Sequence, residues 1–152
     1  MDSINPPLRE ITDPLLQRLY EYWNRTRGVR CMPSRAQVDP CDIRFVLGHV
    51  MLVDVVHGLA TFRVRLQGTE LGWWLGSDLT GKTLEELRSP DLRSLLGESF
   101  AQCVATRVPV FQRGRQYIDG LPRLYSKLVM PLSDDDRNVD KLLVALRCDE
   151  HG

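Results

Sequence analysis

The residues able to do covalent or metal chemistry are few. The thiols are Cys31, Cys41, Cys103 and Cys148, and the imidazoles are His49, His57 and His151. No two cysteines form a Cys-x-x-Cys pair and the histidines make no ligand-spaced cluster, so no structural zinc site is expected. A nucleophile needs a base beside it, and a cysteine with His49 is the one Cys–His arrangement worth weighing. Cys103 recurs on an apolar helical face, where a free cysteine serves as a small buried hydrophobe, and nothing in the sequence brings His49 to it. The expectation is no catalytic centre, with a cysteine-dependent hydrolase or transferase as the enzymatic alternative. There is no G-x-G-x-x-G and no Walker sequence, and Gly68, Gly72 and Gly76 read as helix punctuation.

Cationic chemistry is concentrated around the second of two hairpins, where Arg107, Arg113, Arg115, Arg123 and Lys127 gather. They come without an aromatic-rich nucleic-acid motif, and 20 basic residues are balanced by 20 acidic ones, so a solvated sheet face is expected and nucleic acid is not. A sharper hypothesis follows from pairing. If Asp119-Gly120 is a two-residue turn, Phe111, Arg113, Arg115 and Tyr117 share the more apolar face with Leu124, Ser126 and Leu128. An inward guanidinium is costly unless paired and is shaped to grip a carboxylate, which makes a small organic acid the candidate ligand. The alternatives are a bulge at Gly114 that returns an arginine to solvent, or an internal acid partner. The candidate ligand-binding set is Phe62, Trp73, Arg113, Arg115, Tyr117 and Ser126, with Trp74 assigned to the core.

These residues must be positioned by one domain. At 152 residues, 43% hydrophobic and 26% charged, the chain fits a single globular core, expected over residues 14–147 between a lead at 1–13 and a tail at 148–152. The acidic, proline-containing start lacks a secretory signal, and the most apolar region, 46–60, is interrupted by His49, Asp54 and His57 and is too short to span a bilayer. A cytoplasmic protein with reduced thiols and no membrane partner is expected.

Asp13-Pro14 reads as a cap with proline at the first helical position, and Gly28 as the stop. The helix between them has a broad apolar face of Leu15, Leu16, Leu19, Tyr20, Tyr22 and Trp23, wide enough to predict a homodimer interface unless the helix covers its own sheet. Asp39-Pro40 repeats the device before a short helix holding Ile43, Val46 and Leu47. The period then changes to two. Residues 50–56 and 59–67 form a hairpin around His57-Gly58, with Val53 opposite Phe62, Met51 opposite Val64, and Asp54 on the outer face beside Thr61 and diagonal to Arg63. Short helices follow near Gly68 and at the capping box Thr83-Leu84-Glu85-Glu86, then a longer one from Ser89-Pro90 to before Pro109. Strands at 110–118, 121–132 and 142–146 complete an α+β chain with a five-stranded antiparallel sheet.

This order of elements resembles a PAS domain: a hairpin ending in FRVRLQGTEL, the GSDLTGKTLEEL segment, a connector helix and a three-strand meander. Trp23, Gly28, Pro33-Ser34-Arg35, Asp39-Pro40, Leu52, Asp54 and Arg113-Gly114-Arg115 are similar to a stand-alone bacterial PAS-like family. The resemblance implies strand order 2-1-5-4-3, helices on one sheet face around a pocket, and a sensor or signalling module acting through a small ligand, a protein partner or both, without an effector of its own. A ligand-free interaction module is the alternative. Flavin-adduct PAS domains carry an Asn-Cys-Arg segment that this chain lacks, and His49 and His57 lie outside the helical region where haem-binding members carry their ligand. No cofactor is expected.

Overall fold

The computed structural model describes residues 10–57, 61–75, 77–118 and 120–148. Its sheet is built from β1 (Val50–Val56), β2 (Thr61–Gln67), β3 (Val110–Ile118), β4 (Leu121–Leu132) and β5 (Lys141–Cys148), antiparallel throughout and ordered β2-β1-β5-β4-β3. Helices α1 (Pro14–Arg27), α2 (Thr69–Leu75) and α3 (Pro90–Thr106) cover it from two sides.

Alternation along the paired strands divides the side chains between those sides. Val53 pairs with Val64 and Leu142, and Val129 with Val144 and Val110, which places these residues on one face. That face meets α3: Phe62 packs edge-on against Phe100 at 5.4 Å between centroids, and the Cys103 thiol donates to the Val129 carbonyl. The opposite face carries Leu52, Leu143, Ala145, Met130 and Ser126, and α1 lies across it. Strands β4 and β5 are central, so Leu142 to Leu146 are buried on both faces.

Helix α1 starts where the sequence places it. One oxygen of Asp13 accepts from the Leu15 and Leu16 amides at 2.9 and 3.2 Å, and the other holds Arg147 of β5 at 2.9 Å, so a single carboxylate caps the helix and ties it to the sheet. Gly28 ends it at φ 58°. Leu16, Leu19, Tyr20, Tyr22 and Trp23 are all buried within the chain and Leu15 is half-buried. The Trp23 indole donates to the Pro131 carbonyl at 3.0 Å. The surplus apolar face on which the dimer expectation rested is therefore absent, because the helix spends it on its own sheet.

Two local expectations need correction. Residues after Asp39-Pro40 make separate 3-10 turns, Pro40–Ile43 and Leu47–His49, instead of one helix, since a run this short gains few bonds for its nucleation cost. The first hairpin is also displaced by two residues: Val53 lies opposite Val64, Val55 opposite Phe62, and Asp54 directly opposite Arg63. The register shifts again between Leu52 and Val53, with Arg65 as the extra residue. Beyond that bulge Leu66 pairs with Leu52 and turns to the α1 side, where it is 55% exposed.

Candidate functional site

The β3–β4 hairpin adopts the register that the Asp119-Gly120 turn requires, from Ile118↔Leu121 through Arg113↔Ser126 to Val110↔Val129, without a bulge. Gly114 pairs with Tyr125, and a Cβ there would stand 3.1 Å from the tyrosine oxygen. The glycine is explained by the ring lying over it. Arg113, Arg115 and Ser126 share the α1 face of the sheet as the pairing requires. The inward arginine does not occur, however: Arg113, Arg115 and Tyr117 are exposed on the edge strand β3, and the partners of Arg115 and Tyr117, Leu124 and Pro122, lie past the last β5 pair, Tyr125↔Cys148. Ser126 is buried, opposite Arg147. Phe62 lies on the other face, so the proposed ligand set does not converge. The side chains of Trp73 and Trp74 lie outside the described residues, although their backbones belong to α2.

The basic cluster also divides. Register alternation sends Arg123 and Lys127 to the face opposite Arg113 and Arg115. Lys127 is buried on the α3 side, with 1% exposure, where its ammonium donates to the Leu95 carbonyl and stands 5.7 Å from the Tyr125 ring centroid. Burial pushes this amine down to about 8, opposed by the charge of Glu98. The expected solvated basic face thus loses Lys127. Its side is set by pairing, since Lys127 lies opposite Leu146 of β5 on the face that α3 covers.

On the helical side a cavity of about 560 Å³ opens where Gly120, in the hairpin turn, meets the segment between α2 and α3. Its floor is Leu75, Leu79, Leu87 and Leu92, all buried, and its rim carries Lys82, Arg88, Glu86 and Asp91. The wall is fastened to β2. The Val64 amide donates to the Lys82 carbonyl at 2.9 Å, the Gly81 amide donates to Val64 at 2.7 Å, and the Gln67 side chain bridges Ser77 and Leu79. Glu86 accepts from the Thr83 amide at 2.7 Å, which holds its carboxyl below the usual range and keeps it ionised. Ser89, the cap of α3, accepts from Leu92 at 3.2 Å. The arrangement offers both charge signs over an apolar floor. Sequence reasoning placed Glu86 in a capping box and Ser89 at a helix start but assigned neither to a site, because a 3-10 turn (Leu84–Glu86) and a helix cap carry no ligand spacing.

Cys103 and His49 are not brought together. The thiol is buried against Val108 and Val129 on the α3 side, and burial pushes it well above the usual thiol range. The His49 ring meets Arg147 at 3.4 Å on the α1 side, and desolvation followed by that charge lowers its affinity for a proton. His57 reaches the Val139 carbonyl at 3.0 Å. Among the described residues no group of three or more His, Cys, Asp or Glu could hold a metal ion, and no helix is long and apolar enough to cross a membrane.

Comparison with known proteins agrees with this architecture. The PAS domain of Bordetella pertussis BvgS is 18% identical, with a TM-score of 0.54 over 70% of this chain and 82% of that one. The light-state aureochrome1 LOV structure is 13% identical, with a TM-score of 0.52 over 72% of this chain and 87% of its own. A LOV protein of Rhodobacter sphaeroides gives 13% identity and 0.52 over 76% of this chain and 70% of that one. At these identities the likeness concerns the fold. No curated protein matches the chain. The PAS domain family model matches residues 11–147, spanning α1, the whole sheet and the helices between its halves, and on that match the chain belongs to the PAS domain family of sensor and signalling folds.

Proposed function

We propose that this chain is a sensory module whose small-molecule site is the cavity beneath the β3–β4 hairpin turn. The observation that carries this reading is the pairing of a buried leucine floor with a rim of two cations, Lys82 and Arg88, and two carboxylates, Glu86 and Asp91. Small-molecule sites are typically concave, apolar and marked by a few placed polar groups, and their volumes lie between roughly 300 and 1,000 Å³. Because the rim is charge-balanced, the favoured ligand is zwitterionic, of the amino-acid class; a simple organic acid would meet Glu86 and Asp91 as well as the cations. Gly120 lines the cavity, so an occupant would shift the hairpin and alter the exposed Tyr117 and Leu121 beside the turn. Those two residues are where a protein partner would read the signal.

Native mass spectrometry of freshly purified protein, followed by thermal-shift screening of amino acids and simple carboxylates, tests this reading. A zwitterion should raise the melting temperature of wild type and lose its effect in Arg88→Ala and Lys82→Ala. A bare mass with no shift from either class would leave the ligand-free interaction module, which the tight Phe62–Phe100 packing already favours as second reading.

A further inference from the structure

The sheet face that α1 covers stays open at its β1–β2 end, where a groove of about 420 Å³ runs between the 3-10 turns before β1 and the end of β2. Its floor is Val50, Leu52 and Leu143, and Leu47 and Leu66 stand at its sides. Leu66 is there because the bulge at Arg65 turns it from the α3 side. Of the residues lining the groove only Arg35 is ionised, and none is acidic. One guanidinium nitrogen of Arg35 donates to the Val38 carbonyl at 2.9 Å, which fixes the group, and no carboxylate among the described residues forms an ion pair with it. The exposed apolar rim amounts to Leu47 and Leu66, 39% and 55% exposed. That is far short of the roughly 800 Å² per partner of a stable protein interface.

We propose that this groove is a second ligand site, on the opposite side of the sheet from the hairpin cavity, for a carboxylate carried on an apolar body. Arg35 holds the carboxylate, a match of charge and planar geometry. The hydrocarbon lies on Leu52 and Leu143, displacing water from apolar surface. The adjacent positions of the same two strands, Val53 and Val144, face the α3 core, so the occupant would press on strands shared by both sides of the domain.

The test uses the full chain with decanoate and, as a neutral counterpart of equal length, decanol, below micelle-forming concentrations, by titration calorimetry and amide chemical-shift mapping. Decanoate should bind with shifts centred on Leu66 and Gly68, and at least about tenfold more tightly than decanol, as a charge-assisted pair requires. Arg35→Gln should abolish that preference, and Leu66→Asp, a change at an exposed position, should weaken decanoate by at least about tenfold by placing a like charge beside it. Equal affinity for the two probes, or no binding, overturns the proposal. So do shifts centred on Leu75 and Leu87, which would assign the acid to the hairpin cavity, and a wild-type dimer broken by Leu66→Asp, which would assign the groove to a second copy.

Discussion

Gly68 lies against Gly48 so closely that a Cβ on Gly68 would stand 2.3 Å from the Gly48 carbonyl oxygen and 2.5 Å from that of Leu47. The contact joins the turn before β1 to the turn before α2, and the Gly68 amide donates to Val50 at 2.8 Å across the same junction. Because the obstructing atoms are backbone, no rotamer change can relieve them. Gly68→Ala should therefore lower stability by more than about 2 kcal/mol in denaturant unfolding. Gly72, whose Cβ would meet only the Gln67 amide nitrogen at 3.7 Å, is the control, and Gly72→Ala should be neutral or slightly stabilising. Equal behaviour of the two variants would contradict the close approach.

Lys127 gives a prediction with a sign. Its amine is lowered from 10.5 to about 8 in the folded chain, so between those values the unfolded chain holds more protons and stability rises with pH. Below about pH 8 both states are protonated, and the folded state carries a constant cost of about 3 kcal/mol for the buried charge. Lys127→Met removes that cost while filling similar space. The Leu95 carbonyl it abandons stays within 3.4 Å of the Ser99 hydroxyl. The variant should melt about 6 to 12 °C higher at pH 7 and lose the alkaline rise in stability. A lower melting temperature would mean that the ammonium supports the core instead of burdening it.

Trp23 measures what α1 does for the sheet. Trp23→Phe removes the indole donor to Pro131 and should cost about 1 to 2 kcal/mol, whereas Trp23→Ala also leaves a cavity and should cost about 3 to 5. Light scattering on the half-buried position gives the complementary result. Leu15→Asp should leave the mass unchanged and lower melting modestly, because Leu15 packs partly against the core, and an oligomer lost in that variant while the chain stays folded would show that α1 also meets a second copy.

The contrast between the two hairpins shows which parts of the fold were legible. Asp119-Gly120 reads as a two-residue turn, which admits one register, and every pair from Ile118↔Leu121 to Val110↔Val129 agrees with that reading. His57-Gly58 has the same appearance, yet Val56 pairs with Thr61, four residues intervene, and the bulge at Arg65 has no residue signature in FRVRL. Alternation still put Phe62 and Val64 on the correct side, because a slip of two preserves the face. Arg113 illustrates the other limit. Its face was read correctly, but its exposure on the edge strand β3 depends on what the rest of the chain lays over that edge, a tertiary fact outside any two-strand pattern. The hairpin cavity was illegible for a similar reason, since Gly120 and Leu87 meet only through folding.

Asp54 is the residue whose role separates structure from recognition. It stands directly opposite Arg63, but its carboxylate accepts from the Arg65 Nε at 2.9 and 3.1 Å and lies 3.9 Å from the Lys141 ammonium, because the bulge swings Arg65 back toward β1. The Arg65 side chain is 57% exposed, so water and salt compete for the pair and little of its Coulomb energy reaches stability. Asp54→Asn keeps the shape and one acceptor oxygen, and its melting temperature should lie within about 3 °C of wild type in 0.15 M salt. Arg65→Ala should behave alike, and the double variant should show little coupling beyond the sum, as exposed pairs do. If Asp54→Asn instead lost ligand or partner binding at unchanged melting, the carboxylate would belong to a recognition surface at the β1–β5 junction, and the purely structural assignment would fail.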